Sequence, residues 1–266
     1  KLIMKTNFHN YAEEYFKHRN DIPSVFFEEL AKRGIELSGS KVADIGAGPG
    51  FVSKALSAQG AIVDAVEPSE EFIEIAKDYI GNDDRISFTK GTAEKTGLQD
   101  STYDIVIVMR SWQWFDSEKA SREAKRILKP DGVLVVADIG FKVSNKMMKE
   151  SMKIVKKNSK HEELKPAGSK EDAIQTINGF PVEWFSDWRH EKLDLEEFFK
   201  HEYKVKFTDQ EWLGRLGTSS WLVNFKKKQM DKTMEKIAEL LDSMDDEKKH
   251  RVPHVLNVAI LRNKKK

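Results

Sequence analysis

Between residues 41 and 139, short apolar runs alternate with amphipathic helical stretches, and this alternation constrains the fold more than any other feature of the chain. "KVADIG" opens the series as an apolar run too short for a helix, and "FVSKALSAQG" follows with helix formers that stop at Gly60. "AIVDAVE" reads as the next strand. Behind it, "PSEEFIEIAKDYIG" puts Phe72, Ile75, Ala76, Tyr79 and Ile80 on one helical face and ends at Gly81. "RISFTKG" and "YDIVIVMR" read as third and fourth strands. "SEKASREAKRILK" is a helix with Ala120, Ala124, Ile127 and Leu128 inward, and "GVLVVADI" is a fifth strand. Strands and helices in this order predict an α/β fold built on a mostly parallel sheet.

The flanks follow a different rhythm. The first 35 residues read as helical, with Pro23 near a helix start and Gly34 as a stop in "PSVFFEELAKRG". After residue 140 a Met-rich helix, "NKMMKESMKIVKKN", leads into a polar stretch and then into "NGFPVEWFSDWRHEK", which carries Phe180, Trp184, Phe185 and Trp188 without regular alternation. "HEYKVKF" at 201–207 is a further strand, Met230, Met234, Ile237, Ala238 and Leu241 mark a late helix, and "PHVLNVAILR" is a last strand. The expected organisation is a helical segment at 1–35 and a sheet domain at 36–140, completed by about 200–208 and 228–262. Insertions at 141–199 and 209–227 would cap it.

Composition narrows the partners. Lys plus Arg number 45 against 44 for Asp plus Glu, so the net charge of +1 gives no electrostatic reason for an obligate nucleic-acid or anionic-membrane partner. The absence of cysteine excludes disulfides, thiolate metal sites and a thiol nucleophile. No apolar run reaches the roughly 18 residues of a spanning helix, and "KLIMKTNFHN" has no long apolar segment of the signal-peptide kind, so a soluble, cytoplasmic protein is expected. No ligand spacing suggests a metal, and no G-x-S-x-G elbow is present.

The glycines of "DIGAGPG" carry the first functional signal. A strand–turn–helix junction rich in glycine brings backbone N–H groups and a positive helix end to a ligand. Gly46, Gly48 and Gly50 are spaced G-x-G-x-G, with Phe51 where a dinucleotide site wants its third glycine, so a nicotinamide cofactor is disfavoured. Glu67 closes the second strand, 21 residues beyond Gly46, where a carboxylate can accept hydrogen bonds from ribose hydroxyls. The turn lacks the Gly-Lys-Ser/Thr ending of a phosphate loop, which favours a nucleoside with little or no phosphate.

At this point the chain resembles the Rossmann-like, or class I, S-adenosylmethionine-dependent methyltransferases. "VADIGAGPG" looks like their first motif, "VEPSEEFIEIA" like the second, and "GTAEKTGLQDSTYDIVIV" like the third and fourth. "SWQWFD" followed by "REAKRILKPDGVL" is similar to the methyltransferase type 11 branch that includes trans-aconitate methyltransferase. The resemblance implies a seven-stranded sheet with helices on both faces and the last strand antiparallel, plus a mainly helical cap. It further implies S-adenosylmethionine as cofactor, S-adenosylhomocysteine as product, no metal, and an N-terminal helix acting as a cofactor lid. Asp44, Gly46, Ala47, Gly48 and Gly50 would form the cofactor turn, with Glu67 on the ribose and Pro68 and Ser69 beside the adenine. Thr92, Ala93 and Glu94 would line the adenine, Arg110 and Ser111 its rim, and Tyr11 and Arg19 the methionine end. "DLEEFFKHEYKVKFTDQEWLGRLGTSSWL" resembles a cap segment ending at Ser220.

The chemistry implied is in-line methyl transfer by positioning, with a small-molecule acceptor as the leading expectation and a monomer or homodimer as the working form. An RNA or protein acceptor, and a non-catalytic cofactor sensor, are the alternatives. Trp112 and Trp114 follow the fourth strand at the carboxyl edge, where they suit either an acceptor pocket or the core, and Trp112 could face a sulfonium. Trp184 poses the same choice, Arg189 is a candidate for an acidic substrate, and His18 and His190 are candidates for a base. Many relatives have a histidine where this chain has Gln113, so no base is carried over to that position.

Overall fold

The computed structural model describes residues 12, 15–19, 22–159, 164–222, 225–244 and 250–264, without the side chain of Ser220. Helix α1 (Ser24–Lys32) precedes strand β1 (Lys41–Ile45), and the glycine turn leads into α2 (Phe51–Ala58). Strand β2 (Ile62–Glu67), helix α3 (Glu70–Ile80), β3 (Ile86–Lys90) and β4 (Tyr103–Met109) follow in the expected order. A short 3₁₀ turn (Trp112–Trp114) then leads to α4 (Ser117–Ile127), β5 (Leu128–Phe141) and α5 (Lys146–Asn158). The remaining elements are a small hairpin, β6 (Thr176–Ile177) and β7 (Phe180–Pro181), then α6 (Val182–His190), β8 (Asp194–Phe207), α7 (Asp209–Gly217), α8 (Lys227–Ser243) and β9 (His250–Arg262).

Seven strands form one sheet in the order β3-β2-β1-β4-β5-β9-β8, and the first five pair in parallel. Strand β9 runs against β5: Asp131 N donates to Asn263 O, and Lys142 N donates to Pro253 O, so one strand rises as the other falls. Strand order reverses between β1 and β4. That is the point where the turns after two neighbouring strands lead away on opposite sides and leave a crevice at their carboxyl ends. The last four residues of β1 and the last five of β4 are buried, as strands covered on both faces must be.

The chain divides into two units, one at 21–138, 168–200 and 257–266, the other at 1–20, 139–167 and 201–256. These units divide the chain differently from the expected domains in three places. Residues 168–199, expected as cap, belong to the sheet unit because Phe180, Trp184, Trp188 and Leu193 share a core with Leu134, Val136 and Ala259. Helix α8, expected to complete the sheet domain, lies in the other unit, where Ile237 and Leu241 share a core with Met148, Val155 and Trp212. The expected helical segment 1–35 is split as well: α1 buries Phe26 and Leu30 in the sheet unit, whereas 15–19 belong to the other. Three long strands, β5, β8 and β9, run through both units.

Strand β8 starts at Asp194, well before the expected 200–201, and its first four residues are exposed. It is an edge strand, where apolar alternation is weak and charge guards the open side. Arg262 of β9 pairs with Glu196, and Arg33 pairs with Glu197.

Candidate functional site

The three glycines of the turn do three different jobs. All have positive φ, which only glycine adopts without strain. A Cβ on Gly46 would lie 2.8 Å from Ser111 Cβ, so this glycine lets the segment after β4 close onto the turn. A Cβ on Gly50 would meet Ile80 Cδ1 at 2.9 Å and Ala76 Cβ at 3.1 Å, so this one lets α3 pack against the start of α2. The packing role of the glycine missing at position 51 is therefore performed one residue earlier. Gly48 alone has nothing within 4 Å of such a Cβ and faces open space. The turn is pinned to the end of β2, with the amides of Gly46 and Ala47 both donating to Val66 O.

Two buried carboxylates lie under this turn. Glu67, 6% exposed, accepts from Gly48 N at 2.8 Å through one oxygen and from Ser69 N at 3.0 Å through the other. Burial raises its pKa and these two bonds oppose the rise. Each carboxylate oxygen has capacity for a second hydrogen bond, so Glu67 can grip the turn and still accept from ribose hydroxyls. Asp44, 1% exposed, accepts from Ser53 Oγ at 2.6 Å. Burial pushes its pKa up to about 7, the Ser53 hydroxyl opposes that, and the charge of Glu67 adds to it. Ser69 caps α3 by accepting from Phe72 N, and Pro68 beside it is exposed.

The third strand's loop is held by hydrogen bonds rather than open for contact along its whole length. Thr92 and Lys95 pair backbone to backbone, Ala93 is buried in the core, and Glu94 accepts from Asp116 N at 2.8 Å. Gly91 has no room for a Cβ, which would sit 2.8 Å from Thr96 O. Thr96 donates through both its amide and hydroxyl to Glu123, which also pairs with Arg126. At the rim, Arg110 is 8% exposed with φ 59°, and its amide donates to Ala137 O. Ser111 Oγ donates to Gly46 O at 3.1 Å, joining the rim to the turn. Gln113 Nε2 donates to Arg110 O at 3.0 Å, so the residue replacing a histidine braces the strained turn.

Residues 43–136 match the family described as methyltransferase domain. An uncharacterized methyltransferase from Mycobacterium tuberculosis is 34% identical over 94 residues, which is 35% of this chain and 37% of the relative. The ubiquinone biosynthesis O-methyltransferase of Haemophilus ducreyi is 32% identical over 136 residues, 48% of this chain and 56% of the relative. The match over residues 43–136 agrees with the broad family that the four motifs resemble, while the trans-aconitate-like branch stays a resemblance. The chain spans about a third to a half of the length of these curated relatives. A solved structure from Anaeromyxobacter dehalogenans, provisionally a type II methyltransferase, superposes with a TM-score of 0.65 at 20% identity over 92% of this chain and 97% of its own. The YcgJ protein of Bacillus subtilis superposes with a TM-score of 0.54 at 17% identity, covering 90% and 98%. At these identities the likeness is one of fold.

Several residues expected at the acceptor make contacts of their own. Trp112, 2% exposed, donates through Nε1 to Ser117 Oγ and packs edge-on against Phe115 and Trp188, so it is core. It also lines a void of about 10 Å³ walled by apolar residues and Thr96, room for one water molecule at most. Trp184 is core as well, its Nε1 donating to Ser169 Oγ. Trp114 is the opposite case, at 42% exposed. Arg189 and His190 lie exposed at the end of α6, and His190 Nδ1 is 3.5 Å from Glu191 Oε1. Glu118, His190 and Glu191 are the grouping of metal-ligand types found among the described residues, all exposed or half-buried. Arg122 bonds both carboxylates of that group and already supplies a positive charge there.

His18 and Arg19 fall in the other unit, with Arg19 stacked over the Tyr15 ring. Tyr11 and the Ser220 side chain lie outside the described residues. The Ser/Thr turn before Ser220 closes a helix: Thr218 and Ser219 donate their hydroxyls back to carbonyls of α7.

The structure also brings together residues that the sequence did not single out. Ser53, one turn into α2, is the partner of Asp44. Asp138 of β5 lies just past Ala137, the last residue of that strand paired with β4, and pairs with Lys170, whose Nζ lies 5.8 Å from the centre of the Trp184 ring. Gly168 lies so close to the Gln113 carbonyl that any Cβ would overlap it, which docks the segment carrying Lys170 onto the rim. Asp138 and Lys170 are 32 residues apart in sequence, and no local pattern links them.

Proposed function

We propose that the methyltransferase domain binds S-adenosylmethionine and that the protein transfers its methyl group to a small-molecule acceptor, releasing S-adenosylhomocysteine. The observation that carries this reading is the open face of Gly48 beside a buried Glu67 whose oxygens each hold one backbone N–H and can accept more. The groups at the turn suit an uncharged ribose: the Glu67 carboxylate would repel a phosphate, and no cation among the described residues answers it. When bound, the cofactor supplies a methyl group on a positively charged sulfur that is a good leaving group.

The chain's own residues then bind and orient. Glu67 accepts from the ribose, the backbone of 46–50 allows close approach, and Pro68, Ser69, Thr92, Ala93 and Glu94 flank the base. Ser111 keeps the rim closed on the turn through its bond to Gly46 O. Positioning and exclusion of water account for the rate, because the leaving group needs no protein acid. Gln113 gives no general base at the rim, since a carboxamide is not basic, and its Nε2 donates to Arg110 O.

The near-balanced net charge of +1 supports a small acceptor over RNA, which calls for a basic face. The names of relatives point the same way, among them the ubiquinone biosynthesis O-methyltransferase of Haemophilus ducreyi and the demethylmenaquinone methyltransferase of Clavibacter sepedonicus. Calorimetry with S-adenosylmethionine tests the cofactor: micromolar binding is expected, weakened at least tenfold by Glu67→Ala. Undetectable binding by the folded wild-type chain overturns the reading. Transfer of labelled methyl to a small-molecule fraction, rather than to peptide or RNA, tests the acceptor class.

A further inference from the structure

Asp44 and Glu67 are two carboxylates buried beneath one turn, and no cation among the described residues answers either of them. Asp44 is met by the Ser53 hydroxyl at 2.6 Å, Glu67 by two backbone amides. The elements around Asp44 offer little else. Strand β2 sets Ala65 beside it in register, with Asp64 bonded away to Ser87 and Tyr103. Strand β4 sets Ile107 beside it, with Asp104 and Arg110 three residues off on either side. Asp104 is occupied by Lys129 and by the Lys41 amide, and α2 brings Ser53, while Lys54 reaches away to Tyr79 O.

An arriving ligand changes this balance in one direction. Both carboxylates are already withdrawn from water, at 1% and 6% exposure, so covering the turn adds almost no further desolvation. What the ligand does add is charge. S-adenosylmethionine carries a sulfonium and an ammonium against one carboxylate, a net +1, whereas S-adenosylhomocysteine is a net-neutral zwitterion. In a site shielded from solvent, a nearby positive charge favours the ionised form of a carboxyl group.

We propose that Asp44 holds a proton in the free protein and releases it when the net-cationic cofactor binds, so that the site discriminates the sulfonium from its neutral thioether product increasingly as pH rises. The proton passes to solvent or buffer, and no bond other than the carboxyl O–H is broken. This inference rests on the cofactor assignment above. Burial, which raises the pKa of Asp44 to about 7, places the release in the neutral range.

Calorimetric titration of the full chain with S-adenosylmethionine and with S-adenosylhomocysteine, at pH 7 in phosphate and in Tris, tests it. The two buffers differ in ionisation enthalpy, so the difference in observed heat counts protons. Release of up to about half a proton is expected with S-adenosylmethionine, and less with the product. The affinity ratio of cofactor to product should rise between pH 6 and 8, by no more than tenfold per unit, and should be flat in Asp44→Asn. Ser53→Ala, which removes the bond that favours the carboxylate, should move the rise to higher pH and serves where Asp44→Asn fails to fold. Heats that do not depend on buffer, or equal release by both ligands, overturn the proposal while leaving the cofactor assignment intact. Failure of both ligands to bind removes the assignment itself.

Discussion

The glycine turn at 46–50 and the segment 168–190 both attract attention as ligand sites, one for its glycines and the other for its aromatics, yet the structure uses them in opposite ways. In the turn, Gly48 faces open space and Glu67 keeps hydrogen-bonding capacity in a buried position. In the segment, Phe180, Trp184 and Trp188 are packed into one core, with ring centroids 5.1 Å apart for Phe180 and Trp184. A ligand site is marked by capacity left over after the protein's own contacts are made. Large apolar side chains tend to use theirs on each other.

The comparison can be broken most directly at Trp184. Trp184→Ala should destabilise the chain by about 3–5 kcal/mol in urea unfolding, because a buried indole is replaced by a cavity. Protein that remains folded should bind S-adenosylmethionine within about twofold of wild type. A tenfold loss of affinity at full stability would reverse the assignment of this segment to the core.

The glycines sharpen the comparison from the other side. Gly46→Ala and Gly48→Ala both force an alanine into left-handed backbone, at about 1–2 kcal/mol each. Only Gly46→Ala adds a clash with Ser111, for about 1–3 kcal/mol more, and Ser111→Gly should recover part of it. Gly48→Ala should be the milder of the two for stability and should still weaken the cofactor at least tenfold. Thermal unfolding with and without ligand separates the two effects, and a Gly48→Ala variant of unchanged affinity would show that nothing approaches there.

The smallest effect is expected where the loop after β3 is tied to α4. Burial raises the pKa of Glu123, but the hydrogen bonds from Arg126 and Thr96 more than offset this and hold it at about 2, below its ordinary 4.5. A lowered carboxylate stabilises the folded state above its unfolded pKa and loses that contribution as pH falls through the folded value. Glu123→Gln should therefore be modestly less stable than wild type above pH 5, with the gap closing between about 4.5 and 2 in urea titrations. A gap that persists undiminished at low pH would mean that packing, and not charge, ties the loop.

The succession of strands and helices in the first half was legible because each element there is short and locally patterned, and two of its helices stop at glycine. The residues with leftover capacity, Gly48 and Glu67, were legible too, since their spacing follows from one strand–turn–helix–strand unit. Trp112 and Trp114 were not separable, because a two-residue step on a 3₁₀ turn sends one ring inward and the other outward. Strand β8 was shortened in the sequence reading because an edge strand guarded by Glu196 and Glu197 shows no apolar alternation. The compact units differ from the expected domains for a related reason: an insertion that buries its aromatics in the parent core looks, residue by residue, like one that builds a core of its own.

What the sequence determined by itself was the α/β alternation, the glycine turn and the carboxylate at the end of β2, all of which depend on contacts within a few tens of residues. Tertiary structure alone decided which tryptophans are core, that Ser53 partners Asp44, and that Lys170 meets Asp138 across 32 residues. Those outcomes depend on which surfaces are removed from water together. Burial of that kind belongs to the assembled chain and is written into no single stretch of it.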